Sequence, residues 1–178
     1  RELSKAGREI LQSKEILDAL RRISNYKDFC MWQNMFFDKS TGTIDHIDTW
    51  YLDTNPMGNL VGAWIALEDI NGEGGIFHVY PKSHLTSDKK WIGKNHEEFI
   101  YWSKKESKNF KKKPLYLKKG DLLLMDTSKC FHFGSRKSSK ERLILSFQFI
   151  TPFAYHLRWN WMKSDFIFRN KISNSVPS

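Results

Sequence analysis

The sequence predicts a mainly β fold with flanking helices, built as an antiparallel sandwich or barrel. From residue 29 to about residue 150 the chain shows short runs of β-branched and aromatic residues, such as FCMWQNMFF, LVGAWIALEDI and RLILSFQFI. Turn clusters such as DKSTG, NGEGG and KKGD separate these runs. Short strands at this spacing are typical of antiparallel sandwiches and barrels.

Helices are expected on both sides of this strand region. Between residues 3 and 23 apolar side chains recur at helical intervals, and Ser13 is a candidate cap for the stretch KEILDALRRI. An insert at 86–112, rich in Trp and Lys, is expected to contain a short helix. The stretch YHLRWNWM in the C-terminal tail is also expected to be helical.

The chain's 178 residues suit one hydrophobic core and one domain. We expect a helical N-terminal part at 1–28, a β core at 29–151 and a tail at 152–178. Because the chain begins at Arg1 without Met, we also expect that an N-terminal piece is missing.

Composition excludes several classes of protein. No run of about 18 apolar residues is present, and the first residues lack the features of a signal peptide. Cys30 and Cys130 are the only cysteines, which gives neither a disulfide framework nor a Cys-x-x-Cys metal motif. These features predict a soluble, cytoplasmic protein without a membrane partner.

Positive charge is concentrated in one segment. The net charge is +9, and residues 103–119 hold eight Lys against one Glu. Such a run is either a solvated loop or a surface that attracts an anionic substrate or nucleic acid. Since no nucleic-acid-binding motif is present, we do not expect nucleic acid to be the partner.

The stretch TIDHIDTWY contains a possible pair of metal ligands. Side chains at i and i+2 of a strand share a face, so His46 and Asp48 can present a nitrogen and a carboxylate to one ion, with Ile47 buried opposite. A polar pair at the end of a strand is the alternative interpretation.

A second group of polar residues lies near the end of the β region. His132 is followed ten residues later by Arg142, which begins an alternating strand. Leu143, Leu145, Phe147 and Phe149 lie on one face of this strand, and Arg142, Ser146 and Gln148 lie on the other. If the apolar face packs in the core between the sheets, the polar face is either exposed or lines a wet cavity.

Two imidazoles and one carboxylate on one side of an ion form the facial triad that suits non-haem Fe(II). His46, Asp48 and His132 can supply this set. Zinc, manganese and a site without metal remain open at this point.

Between residues 31 and 150 the order and spacing of short motifs resemble a known family. The motifs are HID, VGAWIALEDINGEGGIFHVYPKSHL, GDLLLMD, FHFGS and ERLILSFQF. Together they resemble the phytanoyl-CoA dioxygenase-like group of Fe(II)- and 2-oxoglutarate-dependent oxygenases. The resemblance implies a double-stranded β-helix, also called a jelly roll or cupin-like fold.

The resemblance also implies roles for particular residues. His46, Asp48 and His132 would be the iron ligands, and Arg142 would bind the distal carboxylate of 2-oxoglutarate. The other cosubstrate contacts would be Trp64, Gln33 and either Ser135 or the neighbouring Gly134. His84, in the stretch PKSH, resembles a family position outside the triad and is expected to be structural.

The implied activity is oxidation of an unidentified small substrate by molecular oxygen, with release of succinate and CO2. The presence of Asp48 favours hydroxylation or a related oxidation over halogenation, because the halogenating branch of the family lacks this carboxylate. The lysine run favours an anionic or carrier-linked substrate. Candidates for the substrate rim are Trp50, Tyr51, Asp53, Trp91, His96, Tyr101 and Trp102.

Two other functions fit the same residues. A cupin-like metalloenzyme would use the triad without 2-oxoglutarate, and Arg142 and Trp64 argue against it. A non-catalytic basic binding module would use the lysine run and leave the triad unexplained.

Overall fold

A computed structural model describes residues 5–24, 28–38, 42–50, 54–55, 59–86, 95–135, 142–150, 155–156 and 170–172. Its helices are α1 (Lys5–Leu11), α2 (Lys14–Ser24) and α3 (His96–Ser107). Its strands are β1 (Phe29–Phe37), β2 (Thr54–Asn55), β3 (Leu60–Ala66), β4 (Phe77–Val79), β5 (Lys113–Leu115), β6 (Leu122–Met125), β7 (His132–Gly134), β8 (Ile144–Ile150), β9 (Tyr155–His156) and β10 (Asn170–Ile172). Two short 3-10 helices occupy Asp48–Trp50 and Ser83–Thr86.

The strands form antiparallel sheets, as the sequence predicted. The larger sheet has the order β10-β1-β8-β3-β6, and a smaller sheet has the order β5-β4-β7. Strands β2 and β9 form a separate pair. Residues of the two main sheets line one common cavity, so these sheets face each other as in a sandwich.

The outer face of the larger sheet is covered by the N-terminal helices. Leu11, Ile16 and Leu20 pack in one cluster with Phe147 and Phe149 of β8. The arrangement considered from the sequence, with the apolar face of β8 packed between the sheets, is wrong, because the N-terminal helices cover that face. This leaves the polar face of β8 directed between the sheets.

A β-bulge in β1 changes which side chains face the inside. The pairing register with β8 shifts between Met31 and Gln33. Phe29 and Met31 therefore pack with the outer cluster, whereas Met35 and Phe37 line the cavity between the sheets. Because side chains alternate along a strand, the extra residue is what moves Gln33 onto the inner face.

Two local predictions about the helices are confirmed. The backbone N–H of Ile16 donates to Ser13 Oγ at 3.4 Å, which caps α2. The insert contains α3, which begins after the cap residue Asn95, whose side chain accepts from the N–H of Glu98 at 2.9 Å.

Two other local predictions were wrong. The stretch around His46 is not a regular strand, because His46 makes an isolated bridge and Asp48 begins a 3-10 helix. The helix expected in YHLRWNWM is not present at Tyr155 and His156, which pair with β2 as β9. The rest of that stretch lies outside the described residues. Within the ranges given above, no helix is long and apolar enough to cross a membrane.

Gly62 of β3 is a point of unusually close packing. It pairs with Gln148 of β8, and both residues face the inner side of the sheet. A Cβ atom added at Gly62 would lie 2.4 Å from Cγ2 of Thr127 and 3.2 Å from the ring of Trp64. Only glycine leaves room for the buried Thr127 at this position.

We predict that Gly62→Ala lowers the free energy of unfolding by roughly 1–3 kcal/mol, the usual effect of overpacking. Chemical denaturation with urea measures this loss. Because Cγ2 of Thr127 is the clashing atom, Thr127→Ser in the same chain should recover part of the stability. An equal loss in the Thr127→Ser background would contradict this explanation.

Candidate metal centre

His46 and His132 are held opposite each other by their own backbones. The N–H of His46 donates to the carbonyl of His132 at 3.0 Å, and the N–H of His132 donates to the carbonyl of His46 at 2.9 Å. Directly opposed residues of an antiparallel pair project to the same side. Their imidazole rings accordingly lie 4.4 Å apart between centroids.

Asp48 reaches the same point from the 3-10 helix. Its N–H donates to the carbonyl of Thr127 at 2.8 Å, and the hydroxyl of the next residue, Thr49, donates to the carbonyl of Ser128 at 2.9 Å. One oxygen of Asp48, Oδ1, lies 3.4 Å from Nε2 of His46 and 3.5 Å from Nε2 of His132. The structure therefore brings together the three residues that the sequence proposed as ligands.

The backbone also sets the protonation of both imidazoles. Nδ1 of His46 lies 2.6 Å from the carbonyl of Ile44, and Nδ1 of His132 lies 2.9 Å from the carbonyl of Cys130. A carbonyl oxygen can only accept, so each Nδ1 carries the proton. In neutral imidazoles the Nε2 lone pairs are then directed at Asp48, which is the tautomer that metal-binding histidines use.

These three groups are buried. His46, Asp48 and His132 are 8%, 6% and 3% exposed. Burial by itself would raise the pKa of Asp48, but the neighbouring imidazoles of His132 and His46 outweigh it and hold this pKa well below its usual range. Asp48 is therefore a carboxylate at neutral pH.

The spacing of the donor atoms suits one metal ion. The candidate ligand atoms of the triad all lie within 4.8 Å of one another. Nitrogen and oxygen ligands about 2.0–2.2 Å from one ion lie roughly 3.0–3.5 Å apart, which is the range observed around Asp48. The set of two His and one Asp fits non-haem Fe(II) in ligand type.

Ile47, between the two ligands, holds the segment from the opposite side. It is 6% exposed and packs with Tyr80, Phe99 and Phe131 in a cluster under α3. The prediction that Ile47 is buried opposite its neighbours is confirmed. Helix α3 thus supports the ligand segment from behind the smaller sheet.

The triad opens onto a cavity of about 180 Å³ between the two sheets. This volume is far above the roughly 10–15 Å³ that one water molecule needs. The larger sheet contributes Met35, Phe37, Trp64, Leu123, Ile144, Ser146 and Gln148, and the opposite wall contributes Gly42, Thr43, His46, Asp48, Phe77, His132 and Gly134, with Leu117 and Arg142 completing the lining.

Arg142 lies at one end of this cavity and is 7% exposed. The backbone N–H of Arg142 donates to the carbonyl of Asp38 at 2.8 Å, which fixes the backbone at this residue. Burial lowers the pKa of its guanidinium. Among the described residues, Nε and Nη1 of Arg142 have no hydrogen-bond partner. A buried guanidinium whose N–H groups lack partners lowers the stability of the fold unless an anion binds to it.

The other predicted cosubstrate contacts lie at different places. Trp64 lines the cavity, and its ring centroid is 6.0 Å from that of His132. Gly134 also lines the cavity, whereas the hydroxyl of Ser135 accepts from the N–H of Ile76 at 2.7 Å. Gln33 pairs with Gln148 at the end of β8 farther from Arg142. As a cosubstrate contact, Gln33 stays a prediction.

The candidate rim residues are mostly elsewhere. The rings of Trp50, His96 and Trp102 pack around Phe99 of α3, behind the smaller sheet. Tyr101 is 73% exposed on α3. Tyr51, Asp53 and Trp91 lie outside the described residues. His84 is exposed in a 3-10 helix and is not among the residues lining the cavity, so its structural role stays a prediction.

Sequence reasoning gave no role to three polar residues near the cavity. Oγ of Ser146, Oε1 of Gln148 and Oγ1 of Thr127 are buried without a partner in the described part of the chain. The alternation of β8 placed Ser146 and Gln148 on the face of Arg142, which was the available signal. For Thr127 no signal existed, because tertiary contacts with Gly62 and Asp48 bring it to this region.

Solved structures with this architecture confirm the double-stranded β-helix fold. The non-heme alpha ketoglutarate dependent carbocyclase SnoK from nogalamycin biosynthesis is 16% identical, with a TM-score of 0.71 covering 90% of this chain and 66% of that one. The epimerase SnoN, in complex with Fe3+, alpha ketoglutarate and nogalamycin RO, is 18% identical, with a TM-score of 0.67 covering 86% and 61%. EctD from S. alaskensis, with 2-oxoglutarate and 5-hydroxyectoine, is 13% identical, with a TM-score of 0.63 covering 83% and 53%.

Curated relatives match a shorter stretch. Phytanoyl-CoA dioxygenase domain-containing protein 1 from Danio rerio is 38% identical over 56 residues, which are 29% of this chain and 19% of the relative. Its homolog from Caenorhabditis briggsae is 37% identical over 51 residues, which are 27% and 18%. The matched segments thus span about a fifth of these relatives.

A family model covers far more of the sequence. The model described as phytanoyl-CoA dioxygenase (PhyH) matches residues 1–144, which include every proposed metal ligand and Arg142. The chain belongs to the phytanoyl-CoA dioxygenase family.

Proposed function

We propose that the protein is an Fe(II)- and 2-oxoglutarate-dependent oxygenase that hydroxylates a small substrate and releases succinate and CO2. One observation carries this proposal. A buried donor set of two imidazoles and one carboxylate shares a cavity with a buried guanidinium whose Nε and Nη1 have no partner among the described residues. The first group suits Fe(II), and the second requires an anion.

The proposed ligands of the iron are Nε2 of His46, a carboxylate oxygen of Asp48 and Nε2 of His132. These atoms occupy one side of an ion and leave its other side open toward the cavity. The carbonyl oxygens of Ile44 and Cys130 fix the two rings in the tautomer that binds metal. The backbone contact from Asp48 to Thr127 fixes the carboxylate.

Arg142 would bind the distal carboxylate of 2-oxoglutarate. A guanidinium and a carboxylate form paired charge-assisted hydrogen bonds, and these are strong where water is excluded. Trp64 and the backbone at Gly134 line the space between Arg142 and the triad. Their apolar surfaces would hold the cosubstrate and keep bulk water out.

Iron with 2-oxoglutarate and molecular oxygen supplies the oxidising chemistry that replaces a hydrogen of a C–H bond by hydroxyl. The residues of this chain position the groups that react and exclude water from them. Asp48 supports hydroxylation over halogenation, because it fills the ligand position that halogenating relatives leave for chloride.

The charge of the cavity bears on the substrate. Apart from the ligand histidines, the ionisable side chains that line it are Asp48 and Arg142, and no lysine of the 103–119 run is among them in the described part of the chain. The lysine run would therefore attract an anionic substrate only at longer range. A cytoplasmic location stays a prediction.

A cupin-like enzyme that uses the triad without 2-oxoglutarate is the alternative. The buried guanidinium of Arg142 disfavours it, because such an enzyme gives that charge no anionic partner. Conversion of added 2-oxoglutarate to succinate distinguishes the two functions.

We predict that His132→Ala abolishes Fe(II)-dependent decarboxylation of 2-oxoglutarate and weakens metal binding at least about tenfold, because one of three ligands is lost. Succinate formation and titration with Mn(II) measure the two effects. His84→Ala, which removes an exposed histidine outside the cavity, is the matched control and should behave as the unmodified protein. Retained turnover in His132→Ala would remove this residue from the triad.

Arg142→Met should raise the 2-oxoglutarate concentration needed for half-maximal turnover roughly 100-fold while leaving the Mn(II) affinity unchanged. The lost interaction is a buried charge-assisted contact of about 2–3 kcal/mol. Arg22→Met, at an exposed position of α2, is the control. An unchanged 2-oxoglutarate requirement would mean that another cation binds the distal carboxylate.

A further inference from the structure

The end of the cavity farther from Arg142 carries polar groups to which the proposed function gives no role, apart from the predicted contact of Gln33 with 2-oxoglutarate. Gln148 is 3% exposed and lines the cavity, and its Oε1 has no partner among the described residues. Oε1 of Gln33 and Oγ1 of Thr127 are likewise buried without a hydrogen-bond partner among the described residues. A buried amide or hydroxyl without a partner costs about 1–3 kcal/mol, so a cluster of them needs a reason.

Pairing registers place these groups in one row across the larger sheet. Gln148 of β8 is opposite Gln33 of β1 on one side and Gly62 of β3 on the other. The side chain of Thr127 lies over Gly62, since a Cβ added there would be 2.4 Å from its Cγ2. We call Gln33, Gln148 and Thr127 the amide row.

The amide row lies near the triad and far from Arg142 along β8. The ring of Trp64, which is 6.0 Å from that of His132, would also lie 3.2 Å from a Cβ added at Gly62, and Gly62 pairs with Gln148. Gln148 is therefore close to the level of the triad and six residues from Arg142, about 20 Å at strand spacing. If 2-oxoglutarate extends from the triad toward Arg142, Gln148, the member of the row that lines the cavity, borders the space that it leaves free.

The β-bulge indicates that this arrangement is a built feature. Without the register shift between Met31 and Gln33, the alternation that directs Met31 outward would also direct Gln33 outward. Bulges occur next to active sites because they redirect single side chains. Here the bulge places a second amide beside Gln148.

We propose that the amide row binds an uncharged polar group of the substrate, such as a hydroxyl or an amide, next to the carbon that is oxidised. The atoms of the row that lack a partner among the described residues are oxygens, so the bound group must donate a hydrogen bond, as a hydroxyl and an amide both do. A carboxylate only accepts, and it would also lie near the carboxylate of Asp48. The role in substrate binding rests on the proposed function, but the stability test of the amide row does not.

The first test measures the stability of the full chain without metal or cosubstrate. Gln148→Met keeps the shape and removes the amide oxygen that has no partner among the described residues, so the midpoint of thermal unfolding should rise by roughly 2–4 °C. Gln33→Met should act in the same direction, and Gln12→Met, at an exposed position, should have no effect. A fall in both variants would show that the amides serve the fold and would overturn the proposal.

The second test measures binding next to the metal. Mn(II) at the triad, with saturating 2-oxoglutarate, speeds the proton relaxation of small molecules bound nearby. Isobutanol, isobutyramide and isobutyrate share a carbon skeleton and differ in the polar group. We expect enhanced relaxation for the alcohol and the amide but not for the carboxylate, and roughly tenfold weaker binding in Gln148→Met, the loss of about one net hydrogen bond.

Equal effects in the unmodified protein and Gln148→Met, or no effect of the alcohol and amide on either, would overturn the proposal. A protein that binds neither Mn(II) nor 2-oxoglutarate would instead contradict the proposed function, and the stability test would still decide whether the amides are there for the fold.

Discussion

The pair of hydrogen bonds between the backbones of His46 and His132 is the interaction on which the candidate centre depends. It joins two segments more than eighty residues apart and directs both imidazoles to one side. Because the same segments fix each Nδ1 on a carbonyl, one piece of backbone geometry determines both the position and the protonation of the ligands. Asp48 then needs only the contact with Thr127 to complete the donor set.

The larger sheet divides its faces between stability and chemistry. Its outer face is apolar and is covered by α1 and α2. The hydrophobic packing of the sheet on these helices therefore does not involve the face that lines the cavity. The inner face can therefore carry Arg142, Ser146 and Gln148, whose buried side chains include atoms without a partner in the part of the chain that the structure describes. Such groups reduce stability, and proteins keep them where a ligand completes their hydrogen bonds.

The two ends of the cavity differ in the chemistry that they can recognise. Arg142 offers a desolvated positive charge, which selects a carboxylate. The amide row offers neutral donors and acceptors, which select an uncharged polar group. A metal at the triad would meet a cosubstrate held at Arg142 and a substrate held at the amide row. This separation would give specificity for two small molecules without requiring a large cavity.

The sequence by itself determined the mainly β fold, the supporting helices and the residues of the triad, because strand alternation and short motifs are local patterns. It also grouped Arg142, Ser146 and Gln148 on one face of β8. It could not determine that the apolar face of β8 packs on helices, that the segment around His46 is a bridge and a 3-10 helix, or that Gln33 turns inward at a bulge. These features follow from pairings between distant segments, and tertiary contacts decide such pairings after local preference has fixed the strands.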